Sequence, residues 1–141
     1  MAKVTESSLI AAPAEKVFQM FTEPERAVMF VPGLSRISNV SPDKRSWDYE
    51  FNWLGFAVTG HSECTASEAP KKYQFKTLTG NKSTWTYRCE PDGAKTKLSL
   101  EVEYDVPQQQ LVRFASESVL QKMNQNTARE IVSHIKTLLE P

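Results

Sequence analysis

The chain has 141 residues, 40% hydrophobic and 10% aromatic, with 17 basic side chains balanced by 17 acidic ones. A length of this order buries roughly 70% of its unfolded surface around one core, so a single domain over residues 1–141 is expected. The zero formal charge argues against a nucleic-acid binder, which needs a basic face, and the aromatic content argues against disorder.

Lys3 to Ala11 reads as a first strand, with Val4, Leu9 and Ile10 among polar residues. Pro13 then stands where a first helical turn tolerates proline, and Ala14, Val17, Phe18 and Phe21 follow as one apolar stripe at helical spacing. A second short helix is predicted from Pro24, carrying Ala27, Val28, Phe30 and Val31 and ending at Pro32-Gly33. Beyond it the period changes. Turn signals at Ser41-Pro42-Asp43, Leu54-Gly55, Ala69-Pro70, Gly80-Asn81 and Pro91-Asp92-Gly93 delimit six runs at hairpin spacing. These are about Leu34–Val40, Arg45–Trp53, Phe56–Glu68, Lys72–Thr79, Lys82–Glu90 and Lys95–Asp105. Trp47, Tyr49, Phe51 and Trp53 alternate with Asp48, Glu50 and Asn52, and Leu98, Leu100, Val102 and Tyr104 alternate with Lys97, Ser99, Glu101 and Glu103. Period-two alternation means one covered and one wet face, as in an antiparallel meander.

After Pro107 the helical period returns. Leu111, Ala115, Val119, Met123, Thr127, Ile131, Ile135 and Leu138 recur at three- and four-residue steps, predicting a helix of about 29 residues, roughly 43 Å long. The fold class is therefore α+β: strand, two short helices, six-stranded antiparallel meander and one long C-terminal helix covering the apolar sheet face. The longest unbroken apolar run, Ala27 to Val31, is far short of the roughly 20 residues of a membrane span, so no membrane insertion is expected. No charged-then-apolar leader opens the chain, and the expected setting is the cytoplasm. Cys64 and Cys89 fall on strands separated by a third, roughly 9–10 Å apart laterally, which predicts two free thiols.

Several segments resemble the START-related superfamily, also called SRPBCC. Ile10-Ala11-Ala12-Pro13-Ala14-Glu15-Lys16-Val17-Phe18 is similar to the opening of its bacterial members. Phe30-Val31-Pro32-Gly33 resembles their helix-ending Pro-Gly, and Thr96-Lys97-Leu98 through Val106-Pro107 resembles their final strand. The chain departs from that pattern at Ala94-Lys95, where many relatives have glycine before the threonine, and in the Asn- and Gln-rich middle of the last helix. The resemblance covers nearly the whole chain and implies a helix-grip fold, a curved sheet wrapped on the long helix. Polyketide cyclases, pollen-allergen-type carriers and lipid-transfer domains share that scaffold, so it implies no single reaction. It does imply a cavity between sheet and helix for an apolar or aromatic ligand, of about 300–1,000 Å³.

The candidate lining follows from the alternation. Trp47, Tyr49, Phe51, Trp53, Tyr73, Phe75, Trp85, Tyr87, Leu100 and Tyr104 are expected on the covered face, where each aromatic ring buries roughly 150–250 Å² as core or as pocket wall. From the helix, Val119, Met123, Asn126 and Thr127 are the candidates; Asn124, Gln125 and Arg129 are read as facing water. His61 and Glu63 fall on the wet face unless Gly60 forms a bulge that turns them inward as an acid/base pair. His134 lies four residues after Glu130, the spacing of an exposed helical pair. No metal-ligand spacing, phosphate-cradling glycine loop or Ser-His-Asp order appears, and no cofactor is expected.

The leading reading is a protein that binds a small apolar or aromatic molecule (a lipid, polyketide or quinone-like compound) in the sheet–helix cavity. The alternative is a cyclase- or dehydrase-type enzyme in which a tyrosine, Ser62 or the His61/Glu63 pair moves protons. A third is a co-chaperone-like interaction module. Ligand identity and any protein partner stay open at this stage.

Overall fold

The computed structural model describes residues 2–53, 55–80, 82–105 and 117–140, with the side chains of Trp53, Phe56, Glu117, Ser118 and Leu120 left out. Strand β1 (Ala2–Ile10) leads into helix α1 (Ala14–Thr22) and a 3₁₀ helix (Pro24–Met29). Strands β2 (Leu34–Ser38), β3 (Ser46–Trp53), β4 (Phe56–Glu68), β5 (Lys72–Thr77), β6 (Ser83–Asp92) and β7 (Lys95–Tyr104) follow, and helix α2 (Glu117–Leu139) closes the chain. The seven strands form one antiparallel sheet in the order β1-β7-β6-β5-β4-β3-β2, so the six-stranded meander is complete and β1 returns to pair with β7. This is the predicted α+β helix-grip arrangement. Residues 111–116, predicted as the first turns of the last helix, lie outside the described residues.

Local chemistry accounts for the elements. Pro13, in extended conformation, caps α1, and Ala14, Val17, Phe18, Met20 and Phe21 bury one face of it. Pro24 opens the second short helix, which is 3₁₀ rather than α and leaves Val28 and Met29 exposed. Gly33, at φ +84°, leads into β2 at a position closed to side chains, since a Cβ there would meet the Asn52 carbonyl oxygen at 2.7 Å. The sixth strand runs through Pro91 and Asp92 instead of stopping before them. Strand β5 pairs only as far as Arg88, so the imino nitrogen of Pro91 costs no ladder hydrogen bond on that side.

The core lies between the concave sheet face and the helices. Val4, Ile10, Leu98 and Leu100 from the sheet meet Val17 and Phe21 from α1 and Ala128, Ile131, Val132 and Ile135 from α2. Val119 and Leu138, predicted on the apolar stripe of the last helix, are exposed at 47% and 44%. The helix is rotated so that Ala128 and Val132 face inward, and its polar flank lies along the free edge of β1. There Gln121 donates to the Lys3 carbonyl at 2.8 Å, Gln125 to Thr5 at 2.9 Å and Lys136 to Leu9 at 2.8 Å. The Glu140 carboxylate receives the Ala11 amide at 2.8 Å. The flank that carries Gln121, Gln125 and Lys136 covers an edge strand.

Candidate functional site

Strand register sets the floor of the site. One inward row crosses the sheet as Trp47, Ser62, Thr77, Ser83 and Tyr104, each paired with the next on the neighbouring strand. The adjacent row runs Cys64, Phe75, Trp85, Val102 and Val4. A polar band of hydroxyls thus lies beside an apolar band. The rings of Phe75 and Trp85 stack at 5.6 Å, and Trp47 meets Phe75 edge-on at 5.3 Å. Over this floor stand Asn124, Thr127, Ala128 and Ile131 of α2, with Pro24, Ala27, Phe30 and Val31 at the side. Together they bound a pocket of about 180 Å³. That is smaller than the volume expected from the resemblance, because α1 fills one end: Phe21 stacks on Tyr87 at 4.3 Å and packs on Tyr73.

Of the predicted lining, Trp47, Tyr49, Phe51, Phe75, Trp85, Tyr87, Tyr104 and Thr127 bound the pocket. Tyr73 and Leu100 do not; both are buried in the core, Tyr73 against Phe18 and Phe21. Val119 is exposed, Met123 half-buried, and Asn126 points outward, accepting from Arg129 at 3.3 Å. The Trp53 side chain lies outside the described residues. Asn124, read from the sequence as facing water, lines the pocket, while Gln125 and the Arg129 guanidinium engage Glu6 beside β1. Sequence reasoning left Thr77 and Ser83 out, although both share strand parity with Phe75 and Trp85.

Thr77, Ser83, Trp85, Tyr104 and Thr127 of the pocket wall are held by local bonds. Trp85 Nε1 donates to Ser83 Oγ at 2.9 Å, and Ser83 Oγ lies 2.7 Å from Thr77 Oγ1. The Tyr104 hydroxyl donates to Gln121 Oε1 at 2.8 Å, linking the pocket wall to the helix flank over β1. The Thr127 hydroxyl is turned to its own helix, donating to the Met123 carbonyl at 3.1 Å.

The acid/base candidates stand elsewhere. The β3–β4 register is unbroken from Ser46–Glu63 to Trp53–Phe56, so Gly60 is no bulge and His61 and Glu63 stay on the outer face. His61 Nδ1 lies 2.8 Å from Asp48 and Nε2 lies 3.5 Å from Glu63. The hydrogen bond to Asp48 raises the His61 pKa, and bonds from Asn39 and His61 lower that of Asp48. Gly60 is required for another reason: a Cβ there would meet the Thr79 carbonyl oxygen at 2.2 Å and the Tyr49 hydroxyl at 2.6 Å. His134 bonds the Phe30 carbonyl at 3.1 Å instead of pairing with Glu130. Burial pushes the Cys89 thiol up to about 12 and raises the Tyr73 and Tyr87 phenols, so none of them is poised to ionise near neutrality. Both cysteines are free, and among the described residues no cluster of His, Cys, Asp or Glu could hold a metal.

A family model described as polyketide cyclase/dehydrase and lipid transport matches residues 1–140. No curated protein matches the sequence. Among solved structures, a START superfamily protein from Mycobacterium smegmatis superposes with TM-score 0.80 at 13% identity, covering 97% of this chain and 96% of that one. A conserved protein from Geobacillus kaustophilus gives TM-score 0.82 at 11% identity over 98% and 95% of the two chains. The di-domain ARO/CYC StfQ from the steffimycin biosynthetic pathway gives 0.78 at 12% identity, covering 97% of this chain and 50% of that one. At these identities the likeness concerns the fold.

Proposed function

The chain belongs to the polyketide cyclase/dehydrase and lipid transport family, and from that premise we propose that its sheet–helix pocket binds a small apolar or aromatic molecule without transforming it. The observation that carries this reading is the chemistry of the wall. Aromatic rings of Trp47, Phe75 and Trp85 form the floor, and the described polar side chains around them are hydroxyls and one amide, with the Asp105 carboxylate exposed at the edge. Binding then comes from burying ligand surface, at about 25 cal/mol per Å², with a few hydrogen bonds fixing orientation.

A cyclase or dehydrase reading asks for a group inside the pocket that moves protons near neutral pH. The His61 and Glu63 pair is on the opposite face of the sheet, with His61 held by Asp48, the inward Tyr87 phenol is made harder to ionise by burial, and the one described carboxylate of the pocket, Asp105, is exposed at its edge. Binding is therefore favoured over catalysis. The test is native mass spectrometry of freshly purified protein against its denatured mass. An added mass that is lost on denaturation supports a carrier and delivers its ligand. Apo protein that also takes up no apolar probe contradicts the reading.

A further inference from the structure

The hydroxyl row gives the pocket a chemical preference. Ser62 is only 1% exposed yet lines the pocket, and its hydroxyl carries no hydrogen bond to another described residue. The Asn124 amide, facing the same space from α2, has none either. Ser83 already accepts from Trp85, and Tyr104 already spends its proton on Gln121, so the Tyr104 oxygen is left as an acceptor. Donors and acceptors are thus both on offer to a ligand or to water in the pocket.

Charge selects further. Among the described residues lining the pocket there is no lysine, arginine or histidine, and the one acidic member, Asp105, is exposed at the rim. An anionic ligand would enter without a counter-charge and past a carboxylate, and a buried unpaired charge is strongly disfavoured. Size selects as well. A 150 Å³ apolar cavity takes about one benzene ring, so a pocket of about 180 Å³ suits a ligand of one or two rings better than a long chain.

We propose that the pocket selects a neutral one- or two-ring aromatic compound carrying a hydroxyl or carbonyl, its ring on the Phe75–Trp85 stack and its oxygen on Ser62 and Asn124. This rests on the binding reading above and narrows it to a ligand class. The experiment compares 2-naphthol, naphthalene and 2-naphthoate, three probes of one shape, by equilibrium dialysis at neutral pH. The expected result is that 2-naphthol binds about fivefold tighter than naphthalene, and that 2-naphthoate binds at least tenfold weaker than 2-naphthol. Ser62→Ala should cut the 2-naphthol to naphthalene ratio about fivefold. Equal affinities for the three probes, or an unchanged ratio in the variant, overturn the assignment while leaving the pocket a binding site. No binding of any probe overturns both.

Discussion

Tyr49 shows how much a single residue can demand of its neighbours. Its hydroxyl donates to the Thr79 carbonyl at 2.8 Å, and the ring lies so close over Gly60 and Gly80 that a Cβ on either would meet its oxygen at 2.6 Å or 2.5 Å. Gly60→Ala should therefore destabilise the fold by about 1–3 kcal/mol in urea unfolding, the usual cost of forcing atoms into a packed site. A loss below about 0.5 kcal/mol would mean that both Tyr49 and the Thr79 carbonyl, 2.2 Å from that Cβ, give way at little cost. Thr96 is fully buried, and its hydroxyl donates to the Ala12 carbonyl at 2.8 Å. Thr96→Val keeps the shape and leaves that carbonyl unpaired, so a loss of about 1–3 kcal/mol is expected. His61 adds a pH term. Because its folded pKa is raised, its contribution is full below its unfolded value of about 6.5 and is lost as pH rises through the folded value. Replacing it, as in His61→Gln, should remove the fall in stability that sets in as pH rises above about 6.5. An unchanged profile would show the Asp48 contact to be inconsequential.

At the scale of elements, the strands were legible and the helix phase was not. Inside and outside alternate along a strand, so Trp47, Tyr49 and Phe51 announce their face, and the same parity extends to Ser62, Thr77 and Ser83 once the apolar residues on either side fix it. The two short helices were equally readable from Pro13, Pro24 and the apolar stripes, whereas the return of β1 to β7 came only from the structure. Helix α2 is harder because it serves two surfaces. Ala128, Ile131 and Ile135 cover the core while Gln121, Gln125 and Lys136 bond the free carbonyls of β1. Reading polar residues there as water- or ligand-facing ignores a third partner, the strand edge. The β1 carbonyls are easily rehydrated, but the buried Tyr104 hydroxyl loses its acceptor, so the double variant Gln121→Ala, Gln125→Ala should lose about 1–3 kcal/mol. Its edge would be open to pairing with another chain. Sedimentation should show its average mass rising with concentration where the parent's stays constant; identical behaviour would deny the helix that covering role.

For the whole molecule, the sheet, the two N-terminal helices and α2 act as one container whose volume is set by how far α1 intrudes. Sequence periodicity says which residues face inward but not how much space they leave, since Tyr73, Leu100 and Phe21 are inward too and fill it. The site was thus legible as a face and illegible as a boundary. Ala128, 2% exposed and part of the pocket wall, gives direct control over that space. The decisive measurement is the binding of naphthalene to the parent and to Ala128→Phe, with urea midpoints confirming that both are folded. The account predicts saturable one-to-one binding to the parent and at least tenfold weaker binding to the variant, whose added ring occupies the pocket. Equal binding to two folded proteins would place the ligand elsewhere and contradict the account.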